Sequence, residues 1–269
     1  MNIDLILSTA EGESSGGGLH FPPIAELLEW PAILFDGTIF ELNKVGLIYI
    51  FAMVAPIVLF TMAIRRNDPV PRGVQTIAES SVDFVRDNIV METMGPAGLP
   101  FMPFLMSLFF FIFFSNITEI FPFIHFPANA RMAMPFMLAM LVWVVYNAVG
   151  IKSQGFFGYI KNTVIPPGVP GALLPLVALI EFVSTFLVRP FSLAVRLFAN
   201  MLAGHLLLVT FGVLTATLWT TTPLFAIVWA PFVVLIGLTG FEILVAFLQA
   251  FIFTILTAVY IGGAMSADH

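Results

Sequence analysis

Residues 206 to 267 carry a single formal charge, Glu242, and this apolar length constrains the chain more than any other feature. Its best break is Thr220-Thr221-Thr222-Pro223 beside Trp219, which predicts two hydrophobic helices, one from about 171 to 219 and one from about 224 to 262. At about 1.5 Å per residue they reach about 70 and 60 Å, against a hydrocarbon core of about 30 Å, and tilts beyond about 40° are uncommon. Either each helix is broken, or both lie steeply inclined. Pro190 is placed to break the first, but no comparable breaker interrupts 232 to 262, so geometry favours inclination.

The composition agrees: 59% of the 269 residues are hydrophobic, 10% are charged and the mean hydropathy is +1.03, as expected of an all-α integral membrane protein. The net charge of −6 comes with no basic patch, which excludes nucleic acid as a partner. With no cysteine there is no disulfide, thiolate metal site or thiol nucleophile. MNIDLILSTA lacks a basic region and a long apolar core, so no cleaved signal peptide is expected.

Three shorter spans precede the long pair: 45 to 64, roughly 101 to 122, and 132 to 151. Arg65, Arg66 and Arg72 follow the first, while Asp4, Glu11, Glu13, Glu26, Glu29 and Asp36 precede it, so the positive-inside rule puts the N-terminus outside. Lys152 and Lys161 then fall inside, and about five membrane-embedded helices leave the C-terminus in the cytoplasm. Residues 74 to 94 read as a cytoplasmic surface helix. The expected organisation is an outside segment with a short interfacial element (1–43), then one helical membrane domain (44–269) that holds the long hairpin (171–262).

Polar residues inside the apolar tracts are the candidate site. Arginine at the bilayer centre costs about 2.5 to 3.5 kcal/mol on insertion scales, so such a residue normally faces protein or water. At about 100° per residue, Arg189, Ser192, Arg196 and Asn200 form one stripe beside the small Ala199 and Ala203, with His205 on the opposite side. Glu242 and Gln249 share a face of the second long helix, which allows His205 and Glu242 to meet between antiparallel helices. Static readings stand beside the functional ones: Arg189 as a snorkelling or capping group, Arg196 or His205 as a structural partner of Glu242, Glu119 and Glu181 as solvated helix-end acids, Asn200 and Gln249 as interhelical glue.

There is no H-E-x-x-H, no P-loop, no Gly-rich nucleotide fingerprint and no Gly-flanked serine partnered by the intramembrane histidine. What remains is acid, imidazole, amide and guanidinium along a membrane path. That is the inventory of a proton conductor, because His and Glu exchange protons near neutral pH while Arg stays charged. A stand-alone channel or transporter is the alternative reading.

RPFSLAVRLFANMLAGHLLL (189 to 208) together with GFEILVAFLQAFIFTILTAVYI (240 to 261) resembles subunit a of the F-type ATP synthases, the stator of a rotary membrane motor. Weaker similarity is visible in PRGVQTIAE (71 to 79) and FFSNITEIFP (113 to 122). The resemblance implies that Arg196 is the essential arginine facing carboxylates of a rotating c-ring. It assigns Asn200, His205, Glu242 and Gln249 to an outer aqueous half-channel, Glu119 to its mouth, and Glu181 to the inner half-channel. The spacing from Glu181 to Pro190 is one residue longer than in many members, and His205 and Glu242 are exchanged relative to many bacterial ones. Also implied are an inclined helix hairpin against the c-ring, peripheral-stalk b subunits as partners, indirect contact with the ATPase head, and no cofactor, metal or ATP chemistry in this chain. The resemblance and the lack of a transit peptide place the chain in a bacterial inner membrane rather than a mitochondrial one.

Overall fold

The computed structural model describes residues 43–66, 72–121, 126–165, 170, 173–219 and 227–265. The interfacial element expected within 1–43 and the break expected at 220–223 lie outside the described residues. Among the described residues, five helices are long and apolar enough to cross a membrane.

The first, α1 (Lys44–Arg66), starts where Asn43 Oδ1 accepts the Gly46 N–H at 3.0 Å, satisfying a donor of the opening turn. It ends in Arg65 and Arg66, which suit the negative end of the helix dipole. The expected surface helix is α2 (Val74–Val85), continued as a π-helical turn over Arg86–Met91. It does more than lie on a surface. Val85, Ile89 and Val90 are fully buried, and the Phe84 ring sits 5.9 Å from Phe109, 5.6 Å from Phe247 and 5.7 Å from Phe251, so α2 is pinned into the bundle by aromatic contacts.

A 3₁₀ turn over Gly95–Phe101 leads into α3 (Met102–Ile117). The sequence extends this span to about 122, but the helix stops at Ile117 and Thr118 to Ile120 form a turn. Thr118 Oγ1 donates back to the Ser115 carbonyl at 2.8 Å, the kind of local bond by which threonine competes with helix propagation. The third span is α4 (Ala133–Gln154), and the connection after it, read from sequence as a loop, contains α5 (Phe156–Val164). Gly155, at φ 75°, makes the corner between them in a conformation that disfavours any side chain. Gly150 permits the resulting close approach, since a Cβ there would strike the Tyr159 ring.

The first long helix runs from Leu174 to Leu218 without a break. It consists of α6 (Leu174–Val183), a π-helical turn over Ser184–Val188, and α7 (Arg189–Leu218). Pro190 therefore does not end the helix; it sits at the start of α7 directly after the π turn. The second long helix, α8 (Trp229–Met265), is also continuous. Spans of 45 and 37 residues exceed a membrane's thickness at helical rise, and unbroken helices of that length must incline.

α7 and α8 pack along one another, with α3 and α4 closing the far sides of the pair. Water drives no burial between helices in lipid, so close contact depends on small side chains. Ala194 and Gly204 on α7, and Ala246, Ala250 and Ala258 on α8, are buried and supply them. Phenylalanines fill the wider spaces around α3, as in the edge-to-face pair Phe109 and Phe110 at 5.4 Å.

Candidate functional site

The spacing argument puts Ser192, Arg196 and Asn200 on one stripe of α7 beside Ala199 and Ala203, and the structure leaves much of it uncovered: Ala199, Asn200 and Ala203 are exposed, as is Leu207 further along, and Ser192 and Arg196 are partly exposed. No carboxylate lies within salt-bridge distance of Arg196 among the described residues. The static reading in which Arg196 pairs with Glu242 is therefore excluded. Glu242 is buried elsewhere, its carboxyl resting against Gly204 in the space a Cβ would occupy.

One turn beyond Arg196, Asn200 Nδ2 donates to Gln249 Oε1 at 2.6 Å, joining α7 to α8. Gln249 is 2% exposed, and its Nε2 makes no hydrogen bond within the described residues. Higher on the same pair of helices come Gly204 with Glu242, then His205.

His205 is where the structure adds to the sequence reading. Its Nδ1 lies 3.1 Å from Glu119 Oε1, with both side chains almost wholly buried. Glu119 had been open to a solvated helix-end role; at 1% exposure it is instead the direct partner of the histidine. Because α3 stops at Ile117, the following turn swings Glu119 across to α7. The partner that the structure gives His205 is thus Glu119, while the Glu242 carboxyl rests against the neighbouring Gly204.

The turn is itself held by residues that the sequence reading did not single out. Asn129 Nδ2 donates to Ser115 Oγ at 2.8 Å and to Asn116 Oδ1 at 2.7 Å, and Tyr49 O–H donates to the Ala128 carbonyl at 2.7 Å. These bonds tie the end of α3 to a short 3₁₀ turn, Ala128–Ala130, and to α1. The available signal was Asn116 within FFSNITEIFP, an amide in an apolar run; Asn129 lies between the second and third expected spans, where hydropathy gives no signal. Glu119 Oε2 and Asn116 Nδ2 are buried and keep unused hydrogen-bonding capacity among the described residues.

At the other end of α7, Arg189 stacks over the Tyr260 ring at 5.3 Å, a cation–π contact that gives it a partner inside the bundle. Glu181, on α6, is partly buried and is not brought together with the His205 group.

A bundle with five membrane-length apolar helices among the described residues, acid, imidazole and amide groups in a buried seam, and on its open face an arginine without a carboxylate partner among those residues, defines a multi-pass membrane protein built to pass ions. A profile of the family described as ATP synthase A chain matches residues 46–262. The chain is similar to ATP synthase subunit a of Rhodococcus erythropolis, 44% identical over 253 residues that cover 93% of this chain and 92% of the relative. It is also similar to the subunit a of a Nocardioides species, 38% identical with 98% of each chain covered, and to that of Frankia alni, 45% identical over 84% of this chain and 78% of the relative. The chain belongs to the ATP synthase A chain family.

Proposed function

We propose that this chain, the proton-translocating stator subunit of a rotary ATP synthase, loads and unloads ring carboxylates through two offset half-channels, with Arg196 between them. The observation that carries the reading is the partly exposed Arg196, without a carboxylate partner among the described residues, on a face of small residues, with the proton-exchanging groups buried behind it.

Protons from the outside reach Glu119 and pass to His205 and Glu242, side chains that can each accept a proton and release it. The polar atoms of Glu119, Asn116 and Gln249 that are unused within the described residues suit ordered water along the way. The Asn200 and Gln249 bridge brings the path to the open face of α7, where a ring carboxylate accepts the proton. Neutral, that carboxyl enters lipid without the penalty of an unpaired charge. After most of a turn it meets the inner half-channel near Glu181 and gives up its proton. Arg196 favours the ionised form as the site passes, and because a guanidinium does not release its proton, it blocks direct leakage between the half-channels. The membrane potential contributes about 2.3 kcal/mol per charge per 100 mV.

The partners in this reading are a ring of c subunits on the α7 and α8 face, peripheral-stalk b subunits, and through them the ATPase head. The site is a bacterial inner membrane with the N-terminus outside. The chain has no cysteine, so single-cysteine probes are unambiguous. Ala203→Cys should cross-link to a ring subunit carrying a cysteine at matching depth, whereas Trp143→Cys on α4 should not. Equal yields from both positions would contradict the assigned face. A stand-alone transporter would bring down neither a ring nor an ATPase head in mild detergent.

A further inference from the structure

The π turn before Pro190 poses a bookkeeping problem in hydrogen bonds. In an α-helical register the Arg189 N–H would bond the Thr185 carbonyl, but here it reaches the Ser184 carbonyl, five residues back. The next residue along is Pro190, which has no N–H. The Thr185 carbonyl is therefore left without a donor from its own helix, in a residue that is 1% exposed. Tyr146, from α4, supplies one: its hydroxyl donates to that carbonyl at 2.7 Å, in a buried bond. Tyr146 is itself 1% exposed and fixed by packing against Tyr260, at 5.9 Å between rings.

Two registers thus compete for one carbonyl. In the observed one Tyr146 holds it and the helix keeps its π turn. In the other the Arg189 N–H takes it, the turn closes into regular α-helix with the Phe186 carbonyl left facing Pro190, which has no N–H to offer it, and everything before it rotates. A π turn of this kind absorbs about one residue, so at about 100° per residue Glu181 lies within about 20° of Arg189 and about 40° of Arg196 around the helix axis. Closing the turn would move these angles to about 80° and 60°, a swing of about 100° for Glu181. α6 has no fully buried residue, so its hold on the bundle is its packing against α5 and the anchored π turn that follows it.

We propose that Tyr146 is a positioning residue for the inner proton exit: together with Pro190 its hydroxyl keeps the π turn open, and so keeps Glu181 close to the line of Arg189 and Arg196 along the long helix. The proposal rests on the reading of Glu181 as the inner acid, and its test separates failure of the register from failure of that reading.

The readout of register is the labelling rate of Glu181→Cys by a membrane-impermeant maleimide in inverted vesicles, with assembly checked by co-purification of the ring. Tyr146→Phe in that background should slow labelling about tenfold, the effect of one buried hydrogen bond to the competing register. Deleting Leu187, an exposed residue of the π turn, removes the extra residue and leaves a regular helix with Glu181 in its native orientation. The deletion should therefore restore labelling in Tyr146→Phe, a rescue that a merely structural tyrosine would not allow. If Tyr146→Phe impairs assembly, recovery of assembly by the same deletion carries the same meaning. With Glu181 intact, ATP-driven proton pumping should fall with Tyr146→Phe and return with the deletion. Unchanged labelling in Tyr146→Phe, or no rescue by the deletion, overturns the register argument. Slowed labelling with unchanged pumping overturns the proposal at Glu181 instead, because the register then moves without consequence for the proton.

Discussion

At the scale of single residues, the contact between His205 and Glu119 would set the chemistry of the proposed outer path. A buried imidazole and carboxyl 3.1 Å apart share protons rather than bind them independently. Removing one should leave the other without its purpose, so His205→Ala and Glu119→Ala should be strongly non-additive, with the double variant pumping little worse than the poorer single one. A double-mutant cycle on ATP-driven pumping measures this, and simple additivity would show that the two act separately. The Glu242 carboxyl rests against the neighbouring Gly204, and exchanging His205 with Glu242 should do less harm than losing either. The sequence made these residues visible because a titratable group in an apolar helix is expensive and stands out. It did not show which of them touch. Helical spacing reports the face of a residue on its own helix, whereas the position of Glu119 depends on where α3 stops and how the Asn129, Asn116 and Ser115 bonds hold the turn after it.

The two long helices illustrate the same division one level up. Their existence, approximate ends and antiparallel pairing follow from hydropathy and the break near residue 220. Pro190 was the ambiguous element: its chemistry disfavours an ordinary helix interior, and only the tertiary bond from Tyr146 shows how the chain continues through it. Gly204 carries a second element-scale lesson. In the sequence it is one small residue among several; in the structure it is the recess that receives the Glu242 carboxyl between α7 and α8. Gly204→Ala should force that carboxyl out or part the helices, with an overpacking penalty of about 1–3 kcal/mol. The variant should insert normally but pump far more slowly, and its thermal unfolding in detergent should shift downward. Wild-type pumping would mean that Glu242 need not occupy the recess.

For the whole molecule, the asymmetry of burial matters most. The acids Glu119 and Glu242 and the histidine are buried among α7, α8 and the turn after α3, while the α7 face bearing Arg196, Ala199 and Ala203 is left open. An uncovered arginine among small residues is poorly suited to lipid and well suited to a protein surface that brings carboxylates past it. The central claim is that Arg196 directs ion traffic rather than anchoring the fold. It is tested most directly by ATP-driven acidification of inverted membrane vesicles carrying either the wild-type chain or Arg196→Ala, with assembly of ring and ATPase head verified in both. The account predicts that the variant assembles fully and pumps no protons. Normal acidification by an assembled Arg196→Ala complex would contradict it.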